Sequence, residues 1–270
     1  MQRKINKKQE KKENKTKKSE IRFLDNCILI NNEILVMGDF HLGYEEYIAE
    51  KCVFPRIQLK EIFERLEGIF LLLKKENVVL KKIIILGDLK HEFGKISDLE
   101  WKEGIKLLDY LDNKVSSKNK TKGIVLIKGN HDNILGPIAK KRDIILKNYY
   151  KIDKICFMHG HKLWDACLED VDRLIIGHLH PSVTLKDNYK KEKFRCFLRG
   201  KWKKKQVYIL PGFSPISSGY DLRRLKYLHN LDDKKGFLII GNDKLKKFEV
   251  IIYNKKEDKI HNFGKLMRFI

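Results

Sequence analysis

Five apolar stretches of this 270-residue chain each end in residues that can bind a metal ion or transfer a proton. The stretches, each with the polar residues that follow it, are Ile34–Met37 with Asp39 and His41, Ile83–Leu86 with Asp88, Ile124–Ile127 with Asn130 and His131, Ile155–Met158 with His159, and Leu174–Ile176 with His178 and His180. Runs rich in β-branched residues predict buried strands. The end of a strand can hold several polar side chains in fixed positions. We therefore expect these side chains to meet at one edge of a sheet.

The spacing within these motifs predicts a centre for two cations. Asp39 and His41 are two residues apart, as are His178 and His180, so on an extended strand end each pair points to one side and can bind one cation. Two such pairs with a bridging carboxylate make a two-metal centre, which clamps a phosphoryl group and activates a water. Carboxylate, amide and imidazole donors without thiolate suit manganese, iron, cobalt or zinc.

The first half of the chain has the pattern of a parallel sheet covered by helices. Predicted elements are a hairpin of 27–30 and 34–37, a helix over 58–75, a strand at 82–86, a helix that starts after Ser97 and a strand at 123–127. Ser97 and Glu100 match a capping box. Alternating strands and helices are typical of an α/β fold.

From Ile144 onward the pattern changes to short strands separated by polar turns. This indicates a second, mixed sheet, with a short helix near 164–170 and a final hairpin of 236–240 and 247–253. No linker rich in Pro, Gly or Ser interrupts 21–270, so we expect one domain over that range.

The formal net charge of the chain is strongly positive, at +22, because it has 58 Lys and Arg residues and only 36 Asp and Glu residues. Residues 1–20 hold nine basic and three acidic side chains and almost no apolar ones, which predicts a disordered basic tail. A polyanionic partner such as nucleic acid would explain the remaining charge. A lysine-rich proteome would explain it equally well.

Cysteine usage and hydropathy bear on location. The five cysteines form no CxxC pair and are odd in number, so we expect buried or incidental thiols rather than a disulfide framework. No apolar run is long enough to span a membrane, and no secretory signal is present. These features predict a cytoplasmic protein.

The order of the motifs resembles the calcineurin-like metallophosphoesterase superfamily. The sequence has Asp-x-His, Gly-Asp-x-x, Gly-Asn-His-Asp, His and Gly-His-x-His in that order between Gly38 and His180. The resemblance implies an α/β protein, a four-layer α/β/β/α sandwich with a two-metal site. It implies two divalent metal ions, with manganese preferred and iron, cobalt or zinc as alternatives. By position, the implied roles are Asp39, His41 and His180 on one metal, Asn130, His159 and His178 on the other, Asp88 as the bridge, and His131 as the catalytic imidazole.

His91 makes the resemblance more specific, because it points to one group within the superfamily. Many family phosphatases have Asp at this position of Gly-Asp-x-x-Asp, whereas Gly-Asp-x-x-His is similar to SbcD-type nucleases. The segments GDFHLGYEEY and GDLKHEFG are similar to archaeal SbcD-related phosphoesterases. This likeness implies that His91 assists at the phosphate as a second catalytic residue. His161 is an alternative to His159 as a ligand, although the family pattern favours His159.

The sequence is compatible with three functions. The first is a metal-dependent phosphodiesterase acting on nucleic acid. It is also favoured by 186–205, where ten Lys and Arg, against Asp187 and Glu192, are interleaved with Tyr189, Phe194, Phe197 and Trp202. The same window fits a hairpin with lysines outside and aromatic rings in the core. The second is a small-molecule or cyclic-nucleotide phosphodiesterase or phosphatase. The third, a non-catalytic scaffold of the same fold, ranks lowest because His131 is intact.

Overall fold

We describe the protein from a computed structural model. It describes residues 19–49, 55–116, 123–186, 190–225 and 238–270. The predicted tail falls almost entirely outside these ranges, as do Cys52 and Tyr189. Within the described residues, no helix combines the length and the apolar character needed to cross a membrane.

The first sheet contains six strands of the described chain, in the order β1-β2-β3-β4-β5-β6. Their bounds are β1 Ile21–Leu24, β2 Cys27–Ile30, β3 Ile34–Met37, β4 Lys82–Ile85, β5 Ile124–Ile127 and β6 Ile145–Lys147. Strands β3 to β6 are parallel, with Met37 opposite Ile85. Parallel strands end at the same edge, so the loops after β3, β4 and β5 emerge together, as the sequence predicts.

Helices cover one face of this sheet. Their bounds are α1 Tyr44–Ala49, α2 Gln58–Lys75, α3 Asp98–Asp112 and α4 Gly136–Lys141. Helix α2 buries Ile62, Leu66 and Ile69 against the sheet. The predicted capping box is present at α3, where the Ser97 side chain accepts the Glu100 N–H and Glu100 accepts the Ser97 N–H.

The second sheet has the order β16-β15-β12-β13-β9-β8-β7 within the described residues. The strands of the second half are β7 Tyr149–Ile152, β8 Ile155–Met158, β9 Arg173–Ile176, β10 Pro181–Lys186, β11 Lys191–Arg195, β12 Phe197–Trp202, β13 Lys205–Ile209, β14 Tyr220–Asp221, β15 Glu249–Asn254 and β16 Lys259–Lys265. Strands β8, β9 and β13 are parallel and the other pairs are antiparallel, which makes the sheet mixed as predicted. Strands β11, β10 and β14 form a small separate sheet.

The two large sheets pack face to face. Because side chains alternate along a strand, Ile83 and Ile85 of β4 pack under the helices, whereas Ile84 packs between the sheets with Phe157 and Ile175. The far face of the second sheet is covered by the 3₁₀ turn Asp165–Leu168, the small sheet and helix α5, Asn242–Leu245. The fold is therefore the expected layered α/β sandwich, with short helices in its last layer.

Two expectations are wrong in this half of the molecule. Cys156 on β8 and Cys167 in the 3₁₀ turn form a disulfide, with Cα atoms 5.6 Å apart, because the turn folds back over the strand. Cys27 and Cys196 are free and buried, as expected. In the predicted final hairpin, 238–240 is not a strand, and 242–245 is helical. Strand β15 instead pairs with β12 and β16.

Candidate metal centre

Four predicted ligands from both sheets converge on one point. Asp39 follows β3, Asp88 follows β4, and His180 follows β9. His180 Nε2 lies 2.9 Å from Asp39 Oδ1 and 3.4 Å from His41 Nε2. His41 Nε2 lies 3.6 Å from Asp88 Oδ2. These four residues form one cluster of donor atoms, which matches the predicted first ligand set with its bridge.

A second cluster shares the Asp88 carboxylate. His159 Nε2 lies 3.2 Å from Asp88 Oδ2 and 3.0 Å from both Asn130 Oδ1 and His178 Nδ1. Asp88, His159 and His178 form a group that could hold a metal. His178 and His180 thus belong to different clusters, so they do not bind one cation as a pair. The division instead follows the family resemblance.

The chemistry of these donors fits a cation. His159 Nδ1 lies 2.7 Å from the carbonyl of Leu86, which can only accept, so Nδ1 carries a proton and Nε2 is the ring nitrogen that a cation would bind. Oxygen atoms of Asp88 and Asn130 face the same point as Nε2, where a cation would take the place of a second ring proton. Ligand atoms about 2.1 Å from one cation lie roughly 3.0 to 3.4 Å apart. The distances from His159 Nε2 to Asp88, Asn130 and His178, 3.0 to 3.2 Å, fall in this range. A backbone carbonyl behind a histidine ligand is also typical of metal sites.

The backbone that presents these ligands differs from the predicted extended strand end. Asp39, His41, Asp88, His178 and His180 all have φ between 46° and 68°. This left-handed region disfavours L-residues other than Gly, Asn and Asp. The side chains converge because the chain turns sharply after each strand, and the extended geometry is wrong. Strained residues of this kind cluster at functional sites.

Glycines beside the ligands allow the loops that carry the ligands to approach one another closely. A Cβ at Gly129 would lie 2.0 Å from Asp88 Oδ1. A Cβ at Gly177 would lie 2.6 Å from Asp39 Oδ2. Any side chain at either position would push a carboxylate out of the cluster.

His131, the predicted catalytic imidazole, lies next to the clusters. Its backbone N–H donates to Asp88 Oδ1 at 3.0 Å, and its ring Nδ1 is hydrogen-bonded to the carbonyl of His91. Because that carbonyl only accepts, Nδ1 is protonated and Nε2 is left facing Asp88 Oδ2 at 3.9 Å. His91 is stacked on His131 with ring centroids 5.4 Å apart, and it forms a third donor group with His41 and His131.

The charges of the site are strongly coupled. Burial disfavours ionisation of His159, but the carboxylates of Asp88 and Asp39 outweigh it and raise the pKa of His159 to about 9. Burial lowers the pKa of His41 to about 3. Burial would also raise the pKa of Asp88, yet the imidazoles of His159, His41 and His131 hold it below its ordinary value. Positive charge is therefore favoured where the carboxylates of Asp39 and Asp88 meet.

A sequence model described as calcineurin-like phosphoesterase matches residues 33–252, which include every predicted ligand. The chain belongs to this family. A search of curated protein sequences found no match.

Solved structures similar to this chain include the following three proteins. The nuclease MPE of Pseudomonas putida is 17% identical, with a TM-score of 0.56, over 87% of this chain and 93% of that one. YfcE, a phosphoesterase from E. coli, is 14% identical with a TM-score of 0.35, over 86% and 98% of the chains. A Vps29 mutant from Entamoeba histolytica is 15% identical with a TM-score of 0.37, over 85% and 97%.

Asp132, the last residue of Gly-Asn-His-Asp, supports the site although it is in neither donor cluster. Asp132 is fully buried and accepts the N–H of Gly129 at 3.0 Å and of Leu89 at 3.1 Å. Burial and the nearby Asp88 carboxylate raise its pKa to about 7. Asp132 ties the loop after β5 to the loop after β4. The position of Asp132 at the end of the Gly-Asn-His-Asp motif is the sequence feature that indicates its role.

The loop 211–219 also supports the site, and the sequence analysis missed it. Phe213 and Ser214 donate backbone N–H groups to the carbonyls of Gly38 and Asp39, at 3.0 and 3.1 Å. Arg195, on β11, donates to the carbonyls of Ser214, Pro215 and Ser217 at 2.6 to 3.0 Å. These contacts join parts of the chain that are distant in sequence, so no local sequence pattern predicts them.

Two other predicted features lie outside the donor clusters. The His161 ring is 5.2 Å from the His159 ring, and His161 is in none of the donor groups found among the described residues. The turn at Lys203 and Lys204 precedes β13, whose Gln206 pairs with Arg173 at the start of β9. His178 follows the other end of β9, so this turn does not border the metal centre.

Proposed function

We propose that this protein is a metal-dependent phosphoesterase that hydrolyses phosphodiester bonds of nucleic acid with two divalent cations, manganese preferred. The observation that carries the proposal is the pair of donor clusters joined by Asp88, with His131 Nε2 facing the same carboxylate. Divalent cations held there would clamp a phosphoryl group and activate a water for in-line displacement.

The residues of the chain supply orientation and a proton. The His91 carbonyl fixes the tautomer of His131, so that Nε2 takes a proton only when the ring is charged. A charged His131 can stabilise negative charge on the phosphoryl group or protonate the leaving oxygen. His91, on the same side, can contact a second phosphate oxygen.

The nucleic-acid substrate is supported by three observations. The chain has a charge of +22, it has histidine at position 91, and its fold is shared with a protein described as a nuclease. A place among SbcD-related phosphoesterases is our inference from the Gly-Asp-x-x-His motif.

A small-molecule phosphodiesterase or phosphatase is the second candidate. The position of the Lys203–Lys204 turn favours it, because that turn cannot extend a nucleic-acid groove from the centre. A panel of phosphomonoesters, cyclic nucleotides, single-stranded DNA and duplex DNA separates the two, with each substrate assayed in Mn²⁺, Zn²⁺ or chelator. We expect turnover of DNA that depends on metal. Turnover of small esters alone would favour the second candidate, and full activity in chelator would exclude a metal-dependent reaction.

A further inference from the structure

A row of aromatic rings continues outward from the metal centre. The Phe93 ring lies 3.7 Å from the His131 ring, centroid to centroid. His91, which also packs on His131, lies 4.4 Å from Tyr44 and 5.4 Å from Tyr47. The two tyrosine rings are parallel within 16°. The proposed catalytic imidazole of His131 therefore contacts Phe93 and His91, and His91 in turn contacts the two tyrosines.

The outermost rings of this row are exposed. Phe93 is 55% exposed and Tyr47 is 43% exposed, whereas most large apolar side chains of the described chain are buried. A ring that packs on a histidine and keeps half its surface in water is a poor contribution to a core. It can instead offer a π-face to a ligand.

The loop that carries Phe93 is held firmly at both ends. The Glu100 carboxylate is buried and accepts the N–H groups of His91 at 2.9 Å, Glu92 at 2.6 Å and Ser97 at 2.8 Å. Gly43, before α1, packs so tightly against Glu100 that a Cβ there would lie 2.6 Å from its Cγ. The Glu100 side chain thus anchors the loop of Phe93 and packs against the residue before α1, the helix that carries Tyr47.

A cavity of about 440 Å³ opens beside His91 and Tyr47. Arg56 and Lys95 line it and supply positive charge. Three carboxylates also line it: Glu46 accepts the Ser97 hydroxyl at 2.8 Å, Glu100 holds the loop, and Glu92 is the third. A cavity of this size can take one planar base, and a cation on its wall suits an adjoining phosphate.

We propose that Tyr47 and Phe93 form a stacking subsite for the nucleobases next to the scissile phosphate, so that the enzyme acts on unpaired nucleotides. This rests on the proposed function in one respect, because the scissile phosphate is placed at the metal centre. Stacking on aromatic side chains holds single strands without sequence preference. Paired bases in a duplex cannot offer their faces to these rings.

The test compares a short oligothymidylate with the same backbone carrying abasic tetrahydrofuran sites, assayed in Mn²⁺. The measured quantity is the ratio of kcat/KM for the two substrates. We expect the wild type to favour the base-containing strand about tenfold or more. Tyr47→Ala and Phe93→Leu should each lower that ratio, and the double variant should bring it close to one.

Matched variants separate stacking from other effects. Tyr47→Phe keeps the ring and should keep the ratio. Phe263→Leu removes an exposed ring on β16, far along the chain from the site, and should also keep it. A wild-type ratio near one, or equal losses on both substrates in Tyr47→Ala and Phe93→Leu, would overturn the proposal.

A binding measurement keeps this inference separate from the proposed function. If the wild type hydrolyses neither strand, the proposed function fails, and fluorescence anisotropy with chelated protein then decides the stacking question. Preferential binding of oligothymidylate that is lost in Tyr47→Ala and Phe93→Leu supports the subsite. Equal affinity for the two strands rejects it. Melting temperatures of all variants confirm that each is folded.

Discussion

The two ends of strand β9 carry the same backbone anomaly for different reasons. After its carboxyl end, His178 and His180 have φ of 68° and 46°. Beside its amino end, Lys203 and Lys204 in the turn between β12 and β13 have φ of 48° and 63°. The lysines are exposed and His178 is buried. Both segments are left-handed, but only one brings donor atoms together.

The difference shows how to separate strain with a local cause from strain with a functional one. A two-residue hairpin turn of the I′ type requires φ above zero at both central residues, so the lysines follow from hairpin geometry. No turn of that kind explains His178 and His180. Each such residue costs on the order of 1–3 kcal/mol. Contacts between the two sheets stabilise the left-handed conformation of His178 and His180, and this conformation places their donor atoms in the clusters.

Asp88→Asn should have the largest effect on activity. Asparagine tolerates the left-handed backbone as aspartate does, so the change removes the shared charge and little else. A carboxylate that serves two cations should be worth several kcal/mol, so we expect turnover to fall by roughly 10⁴-fold or more, further than on loss of either outer ligand set. The measurements are hydrolysis rate and metal content.

Asp170→Asn is the matched control for this change. Asp170 precedes β9, has φ of 51° and is an exposed partner of Lys154, so it shares the backbone conformation of Asp88 without its surroundings. Its substitution should leave turnover within about twofold, as surface changes usually do. An Asp88→Asn protein that keeps full metal-dependent activity would remove Asp88 from the bridging role.

His131→Ala should lower kcat and kcat/KM together and leave metal content unchanged. An imidazole that acts on the transition state is typically worth about 10²- to 10⁴-fold. His261→Ala, at an exposed histidine of β16, is the control and should be silent. Loss of bound metal from His131→Ala would instead make His131 a ligand.

The sequence predicts which polar side chains follow the strands, because each strand end is a local pattern. Apolar runs, glycines and polar residues at Asp39, Asp88 and His178 are all visible in short windows. What joins them across the two sheets is not local. The 211–219 loop on Gly38 and Asp39, and the disulfide between Cys156 and Cys167, depend on how the layers pack. Periodicity carries no information about such contacts.

The window 186–205 also shows that a local pattern does not give the position of a segment in the fold. Its composition favoured nucleic-acid contact, but composition does not say at which end of a strand a residue lies. The parallel register of β13 with β9 puts Lys203 and Lys204 at the wrong end. Trp202 is partly buried against the second sheet's outer core, which fits the alternative of core-facing rings.

His91→Asp tests whether the site distinguishes diesters from monoesters. Aspartate cannot donate the hydrogen bond that His91 can give to a phosphate oxygen, and many family phosphatases have aspartate at this position. We therefore predict selective loss on diesters of roughly 10- to 100-fold, with simple monoesters spared. The measurement is kcat/KM on a matched diester and monoester. Equal losses on both would remove the nuclease-like argument from His91.

Salt dependence tests which end of the sheet meets nucleic acid. Each phosphate contact on a single strand contributes about −0.7 to the slope of log affinity against log salt. Arg56→Gln with Lys95→Gln, at the cavity, should flatten the slope by up to about 1.4. Lys203→Gln with Lys204→Gln and Lys205→Gln should leave it unchanged. A slope that responds only to the three lysines would place the contact surface at the far end.

Lys204→Gly should have the smallest effect, and its sign tests the hairpin explanation directly. Lys204 has φ of 63°, which glycine adopts without a Cβ penalty. Relief of about 1–2 kcal/mol of backbone strain outweighs the greater chain entropy that glycine loses on folding, about 0.5–1 kcal/mol, so the free energy of unfolding should rise slightly. Lys201→Gly, an exposed position within β12, has no strain to relieve and should lower it. Thermal unfolding measures both variants, and activity should be unchanged in each. If Lys204→Gly destabilises as much as Lys201→Gly, then the turn does not explain the left-handed lysines, and the contrast between the two ends of β9 fails.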